Sequence, residues 1–219
     1  REPPIVEVTI IDTELQIVVD RRELPGANIA QGIAASPDGE LVCVAVEIPK
    51  NLIPETQIYQ GWMVTYGLAV LEAKPGGRTA YLLLDEVNLY FADPFGLSFS
   101  PDGKFLYVGS SGVDVVSVID VARMKRVLEM KHGQIGISDR RIETYARHLG
   151  ISAEYVSHRI PTGYNPKGLA MAPDGATLYV ANRLADSISV IDTKTNTSSH
   201  SIDLGGPQTM TEVRRGEYL

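Results

Sequence analysis

The amino-acid sequence predicts an all-β protein made of β-propeller blades, each a four-stranded antiparallel sheet. Three observations lead to this prediction: a turn motif that occurs three times, strand-like apolar runs beside each copy, and a repeat spacing close to the length of one blade. The chain has 219 residues, of which 44% are hydrophobic and 21% charged, so a buried core is expected. We expect an incomplete ring of about three to four blades, with one inserted amphipathic helix.

The turn motif occupies residues 32–40, 96–104 and 168–176, which align without gaps. Each copy begins with glycine and reaches Pro-Asp-Gly five residues later. Proline presets the φ angle of the second position of a type I turn, aspartate suits the next position, and glycine takes the left-handed conformation that closes a bulged hairpin. The repeated aspartates are therefore expected to shape turns rather than to form a carboxylate site: Asp38, Asp102 and Asp174.

Strand-like segments follow the motifs in a fixed order. A second strand is predicted at 41–46, 105–110 and 177–182, and a third at 8–13, 67–73, 116–121 and 188–193. A fourth is predicted at 16–20, 80–85, 126–130 and 199–205. The acidic residue of the third strand recurs after 60, 48 and 72 residues. Without two insertions of roughly 18 and 28 residues, the period is about 45 residues, the length of a blade.

Other architectures fit the sequence less well. A β-sandwich has short strands but no repeated turn chemistry, and an α/β fold needs helices between its strands. The first strand-like segment corresponds to a third strand and the last to a fourth, so we expect open edges and a fragment of a longer sequence or a larger assembly. Residues 1–206 are assigned to the blades, and residues 207–219 to the start of a following domain.

The first insertion, at about 47–66, separates the second and third strands of one blade. It contains aromatic and methionine side chains, which are enriched at the centres of protein interfaces. We therefore consider two interpretations, a loop that faces a partner or ligand and a loop that packs onto its own blade. The candidate partner contacts are Tyr59, Trp62, Met63 and Tyr66.

The second insertion, at about 131–155, contains the helical apolar spacing Ile142, Tyr145 and Leu149. Ser138 or Asp139 can cap the start of this helix, and Gly150 stands where a terminating glycine belongs. The helix either docks a neighbouring domain or covers its own blade with its apolar stripe. Its three apolar residues are added to the candidate partner contacts.

Composition and motif spacing exclude several functions. The net charge of −7 argues against nucleic-acid and anionic-membrane partners, and no apolar run approaches the roughly 18 residues of a membrane-spanning helix. A single cysteine, Cys43, excludes an internal disulfide and a CxxCH haem attachment motif, and its apolar strand predicts a buried side chain. The four histidines lack the spacing of a helical metal site. We therefore expect no catalytic, cofactor-binding or metal-binding residue in this chain.

The repeated motifs resemble a known family. SPDGKFLYVGS at 100–110 with VSVIDV at 116–121, and APDGATLYVANR at 172–183 with SISVIDT at 187–193, are similar to the YVTN-type β-propeller repeat. The resemblance covers most of the chain and implies the same blade architecture. A stand-alone YVTN propeller that acts as a surface or periplasmic binding protein is one function it implies.

A narrower resemblance involves residues 158–193, the IDLGGP segment at 202–207, EVRRGEYL at 212–219 and the Gly61–Met63 element. These are similar to bacterial proteins in which a YVTN propeller runs into a di-haem cytochrome c peroxidase-like domain, where the stretch matching Arg214–Glu217 opens the helix before the first haem motif. The resemblance implies a non-catalytic scaffold, an extracytoplasmic compartment, and c-type haem only in a following domain or subunit. The propeller subunits of hydrazine synthase, from anaerobic ammonium oxidisers, have a similar layout and imply the same scaffold role.

Overall fold

The computed structural model describes residues 6–49, 63–133, 149–206, 209 and 211–217. Its strands form three four-stranded antiparallel blades and one two-stranded half-blade. The half-blade contains β1 (Glu7–Asp12) and β2 (Ile17–Glu23), and blade 1 contains β3 (Ile29–Ala35), β4 (Leu41–Pro49), β5 (Val64–Glu72) and β6 (Thr79–Leu83). Blade 2 contains β7 (Pro94–Phe99), β8 (Phe105–Ser110), β9 (Val115–Asp120) and β10 (Val156–Pro161). Blade 3 contains β11 (Pro166–Met171), β12 (Thr177–Asn182), β13 (Ser187–Asp192) and β14 (Thr197–Asp203).

This arrangement confirms the predicted fold class. Each blade joins its strands in sequence order, and the half-blade pairs the segments predicted as a third and a fourth strand. Helix α1 (Val121–Gly133) and a short 3-10 helix (Ile151–Glu154) lie between the last two strands of blade 2, and α2 (Glu212–Glu217) follows blade 3. Within the described ranges, no helix is both long enough and apolar enough to cross a membrane.

The repeated motif forms the predicted turns. The amides of Gly39 and Gly103 donate to the carbonyls of Ser36 and Ser100 at 2.9 Å, and the corresponding bond in blade 3 measures 2.8 Å. The three turn glycines have φ angles of 71°, 69° and 72°, the left-handed conformation that closes such hairpins. The Asp38 carboxylate accepts from the Glu40 amide at 3.0 Å, and its equivalents do the same. These aspartates therefore shape turns, as predicted.

The first glycine of each motif allows neighbouring blades to approach. A methyl group added to Gly32 of β3 would lie 1.7 Å from the Phe95 carbonyl oxygen of blade 2. A methyl group on Gly96 of β7 would lie 2.5 Å from the Lys167 carbonyl oxygen of blade 3. On Gly168 it would meet only Ala181 of its own blade, at 3.6 Å. The first two glycines are thus required by packing between blades, whereas the third would make only an ordinary contact within its own blade.

The core lies between the blades. One cluster of buried apolar side chains joins the half-blade to blade 1, a second joins blades 1 and 2, and a third joins blades 2 and 3. Cys43 and Tyr107, at the same position of the repeat, are 0% and 1% exposed because each faces a following blade. Tyr179 at that position of blade 3 is 41% exposed. The prediction that Cys43 is a buried apolar residue is confirmed.

Antiparallel pairing gives the blades two different faces. We call the side with the hairpins joining first to second and third to fourth strands the motif face, since it contains the Pro-Asp-Gly turns. The opposite side contains the second-to-third connections and the crossings between blades, and we call it the crossover face. The first insertion leaves from the crossover face and the second from the motif face.

One predicted strand is wrong. Residues 126–130 were expected to be a fourth strand, but they lie inside α1, and β10 supplies that strand instead. The Asp120 carboxylate caps the helix by accepting from the Arg123 amide at 2.9 Å. Buried side chains then recur at helical spacing and fill the gap between blades 1 and 2: Val121, Met124 and Val127. The second insertion therefore begins at residue 121 rather than 131.

The boundaries of the first insertion also differ from the prediction. The hairpin of β4 and β5 extends beyond the repeat, pairing Glu47 with Tyr66 and Pro49 with Val64. Its connection therefore spans residues 50–63 rather than 47–66. Of the amphipathic segment predicted at 138–150, residues 138–148 lie outside the described residues, and Leu149 and Gly150 directly precede the 3-10 helix.

Candidate functional site

Three of the predicted partner contacts lie in the described part of the chain: Met63, Tyr66 and Leu149. Met63 is 53% exposed on the crossover face, and Tyr66 is half-buried on β5. Leu149 is 9% exposed, so most of its side-chain surface is covered within the chain. The remaining candidates lie outside the described residues: Tyr59, Trp62, Ile142 and Tyr145.

A polar cluster around Asp93 joins all three blades on the crossover face. Gln31 of blade 1 and Ser111 of blade 2 each donate a side-chain hydrogen bond to the Asp93 carboxylate. The Lys167 ammonium of blade 3 donates to it at 2.8 Å and lies 4.1 Å from the centre of the Phe95 ring. Asp93 itself adopts a left-handed φ of 53°, which aspartate tolerates better than most residues.

The electrostatics of this cluster are dominated by carboxylates. Burial alone raises the pKa of Asp93, but the hydrogen bonds from Lys167, Ser111 and Gln31 outweigh it and hold the pKa below its usual range. Burial and repulsion by Asp93 raise the pKa of the nearby Glu47, and Lys167 partly offsets that rise. Burial and neighbouring carboxylates, Glu47 first, also raise the pKa of Tyr66. Asp93 and Lys167 therefore form an ion pair between blades, and Glu47 adds a further carboxylate beside it.

A second polar network fixes the crossing from blade 1 to blade 2. The Arg159 guanidinium lies 3.4 Å from the centre of the Phe91 ring and donates to Glu86 at 2.9 Å and to the Leu84 carbonyl at 2.6 Å. The buried Asp85 carboxylate accepts from the amides of Tyr66 and Phe91, both at 2.9 Å. Each of these groups binds another part of the chain, so the network stabilises the crossing rather than presenting reactive groups.

The motif face contains a cleft of about 440 Å³ between the hairpins of blade 1 and helix α1. Its rim charges form ion pairs: Lys125 with Glu40 at 2.8 Å, and Arg78 with Glu72. The hydrogen bond from Arg78 lowers the pKa of Glu72 to about 2. Charges paired in this way hold α1 and the hairpin in place, and they do not converge on a ligand.

The chemistry available in the described part of the chain is limited. Burial raises the pKa of the Cys43 thiol to about 12, so it is not a nucleophile at neutral pH. Among the described residues, no three His, Cys, Asp or Glu side chains form a group that could hold a metal ion. A covalently attached c-type haem does not fit this chain, because it needs a CxxCH motif and the single cysteine is buried.

The segment after blade 3 contacts the crossover face. The Thr211 hydroxyl accepts from the Arg214 amide at 3.1 Å at the start of α2. The Arg214 guanidinium then donates to the Leu184 carbonyl at 3.0 Å and to the Asp186 carboxylate at 2.5 Å. This segment was predicted to open a following domain, and its described part contacts the turn between β12 and β13. No sequence motif predicted that Asp186 would bind this segment.

Comparison with known proteins identifies one closely similar protein. No protein-family model matches the chain. Hydrazine synthase subunit beta of Kuenenia stuttgartiensis is 33% identical over 187 residues, which are 85% of this chain and 47% of that subunit. A solved structure of Kuenenia stuttgartiensis hydrazine synthase matches with a TM-score of 0.77 and 30% identity, over 86% of this chain and 52% of that one.

More distant structures share the fold alone. The periplasmic gluconolactonase PpgL of Pseudomonas aeruginosa matches 95% of this chain and 52% of its own, with 18% identity and a TM-score of 0.55. A protein of unknown function from Desulfotomaculum acetoxidans has 15% identity and the same TM-score, over 90% of this chain and 49% of its own. The chain spans about half the length of the proteins it matches. Over most of its own length, it is therefore homologous to about half of hydrazine synthase subunit beta.

Proposed function

We propose that this chain is the propeller part of a hydrazine synthase-type complex, in which it acts as a haem-free scaffold. The observation that carries this proposal is the 33% identity to hydrazine synthase subunit beta over 85% of the chain, together with the TM-score of 0.77. The relative is named as a subunit, which supports the expectation of protein partners.

The polar groups of the chain support a scaffold role. The carboxylate of Asp93 and the guanidinium of Arg159 both form hydrogen bonds with other residues of the chain, within blade 2 and across to neighbouring blades. A catalytic group instead needs a geometry that leaves it free to meet a substrate. Redox chemistry is therefore assigned to partner subunits or a following domain that carry c-type haem, in an extracytoplasmic compartment where such proteins are assembled.

The proposal is tested by co-expression. An affinity-tagged copy of this chain is expressed with the other subunits of the complex from its own organism, and the eluate is examined for haem absorbance and by mass spectrometry. We expect haem only when the partner subunits are present, with the other subunits recovered in fixed proportion. Recovery of the chain alone would contradict the scaffold role and favour a stand-alone YVTN binding protein.

The di-haem peroxidase-like partner is a finer version of the same proposal. It rests on the resemblance of residues 212–219. The hydrogen bond from Arg214 to Asp186 holds α2 against blade 3, which is compatible with a domain that follows α2. Two haems per copy of this chain in the same eluate would support it, whereas any other haem ratio would point to a different partner.

A further inference from the structure

The half-blade lacks the inner strands that each complete blade has. In blades 1 to 3, the third strand pairs with the second strand on one side and with the fourth strand on the other. β1 occupies the place of a third strand, but within the described residues it pairs only with β2. Its inner edge therefore presents backbone amide and carbonyl groups that have no sheet partner in the described part of the chain. Such an edge can accept an added strand.

The complete blades show which contacts the inner side of a blade makes. Leu97 of β7 and Leu169 of β11 each follow the first glycine of the motif. A methyl group on Gly32 would lie 2.8 Å from Cδ1 of Leu97, and one on Gly96 would lie 2.8 Å from Cδ1 of Leu169. Both leucines are half-buried. At each of these two boundaries, a leucine therefore packs against a glycine in the first strand of the preceding blade.

Ile33 is the corresponding residue of blade 1, and it lacks this cover. It pairs with Val44, as Leu97 pairs with Val108, so its side chain lies on the face directed at the half-blade. Val44 is 3% exposed and packs in the cluster that joins the half-blade to blade 1. Ile33 is 59% exposed, because the described part of the half-blade has no first strand to lie against it.

The sequence of β1 resembles that of a third strand that is paired on both edges. Its residues 8–12, VTIID, match VSVID at 116–120 in β9. In blade 2, β8 pairs with β9 along its whole length. The same register would pair an added second strand with β1 along Glu7–Asp12. A single added strand would still leave Ile33 uncovered, since the equivalent leucines contact a first strand. The site is therefore matched to a hairpin of two strands.

We propose that the inner side of the half-blade is a docking site for a β-hairpin built like the first and second strands of this repeat, with glycine opposite Ile33. Glycine is needed there because first strands approach closely: a methyl group on Gly32 or Gly96 would lie 1.7 Å or 2.5 Å from a carbonyl oxygen of the following blade. The inference goes beyond the proposed function and does not depend on it, since it rests on contacts within the repeat itself.

The test measures binding of a synthetic peptide to the 219-residue chain by isothermal titration calorimetry. The peptide has the sequence of residues 94–110, the first two strands of blade 2. One variant peptide carries Gly96→Ala, and the matched control carries Lys104→Ala in the exposed turn. In the chain, Ile33→Ser removes the exposed apolar contact. Its control is Ile202→Ser, at an isoleucine that is 41% exposed on β14. Urea unfolding verifies that both chain variants keep the fold, and hydrogen exchange locates the bound peptide.

We expect the peptide to bind and to slow amide exchange in β1. Gly96→Ala in the peptide and Ile33→Ser in the chain should each weaken binding about tenfold or more, whereas both controls should leave it unchanged. Failure of the peptide to bind, or equal binding by the Gly96→Ala peptide, overturns the proposal. Protection of β14 instead of β1 also overturns it, since the peptide would then recognise any exposed strand edge.

The oligomeric state of the chain without peptide completes the test. Self-association that protects β1 would assign this edge to a second copy and overturn the hairpin site. No partner subunit takes part in these measurements, so a failure of the proposed function would leave their outcome unchanged.

Discussion

Replacing Gly32 with alanine tests the packing between blades. The new methyl group would lie 1.7 Å from the Phe95 carbonyl oxygen, whereas real contacts of this kind are essentially never below 3.0 Å. Blades 1 and 2 must therefore separate locally by more than 1 Å. Overpacking typically costs about 1–3 kcal/mol, and a backbone carbonyl cannot rotate away, so we expect a loss of about 3 kcal/mol in the free energy of unfolding.

Gly168→Ala is the matched control, since Gly168 is the same residue of the same motif. Its methyl group would meet only Ala181 at 3.6 Å, an ordinary contact. Because glycine in a strand is less favourable than alanine by roughly 0.5–1 kcal/mol, this variant should be neutral or slightly more stable.

Urea unfolding of the 219-residue chain, followed by circular dichroism, measures both variants. With a slope of about 2–3 kcal/mol per molar urea, Gly32→Ala should lower the midpoint by roughly 1 M, while Gly168→Ala leaves it in place. Equal shifts in the two variants would refute the packing argument. If a further blade covers Gly168 in the assembled protein, Gly168→Ala should become harmful there.

Three further predictions concern the buried polar groups and the thiol. Asp93→Asn keeps a residue that tolerates the left-handed φ but loses the ion pair with Lys167, and should cost about 1–3 kcal/mol in urea unfolding near neutral pH. The pKa of Asp93 is lowered in the folded chain, so ionised Asp93 stabilises the fold above the usual carboxylate pKa of about 3.9. This stabilisation is lost as the pH falls through the pKa of the folded state, so the stabilities of wild type and Asp93→Asn should converge in acid. A stability difference that stays constant down to pH 2 would contradict this. Arg159→Ala removes the cation–π contact with Phe91 and the ion pair with Glu86, and should lower the free energy of unfolding by about 3 kcal/mol or more. An unchanged urea midpoint would contradict this. Cys43 should react with iodoacetamide at pH 8 only after unfolding, since it is buried with a raised pKa; rapid labelling of the folded chain, detected by mass spectrometry, would show the burial to be wrong.

The repeats made the blades predictable. Glycine, the Pro-Asp-Gly turn and the following apolar run are local signals, and each produces its hairpin whatever surrounds it. The predicted turns at 36–39, 100–103 and 172–175 therefore formed as expected.

Helix α1 was missed because part of its sequence, RVLEM at 126–130, also fits a short strand. The helix is stabilised by nonlocal contacts: Met124 packs between two blades, and Lys125 pairs with Glu40 of another blade. The hydrophobic periodicity of a sequence does not show contacts between segments that are distant along the chain.

The cluster around Asp93 could not be predicted for a similar reason. Gln31, Ser111 and Lys167 are 62, 18 and 74 residues away from it in sequence. Only the closure of three blades around a common axis brings them together. The position of Asp93 immediately before a first strand was the one available signal, and it is shared with many loop aspartates.

The measurement that tests the central claim most directly is purification of the native hydrazine-forming complex from the source organism, with quantitative mass spectrometry of its subunits. The account predicts that this chain is present in fixed proportion to the haem-bearing subunits or domain, and that the peptides of residues 1–219 carry no haem. Hydrazine-forming fractions that lack this chain would contradict the claim that it is the propeller scaffold of the complex.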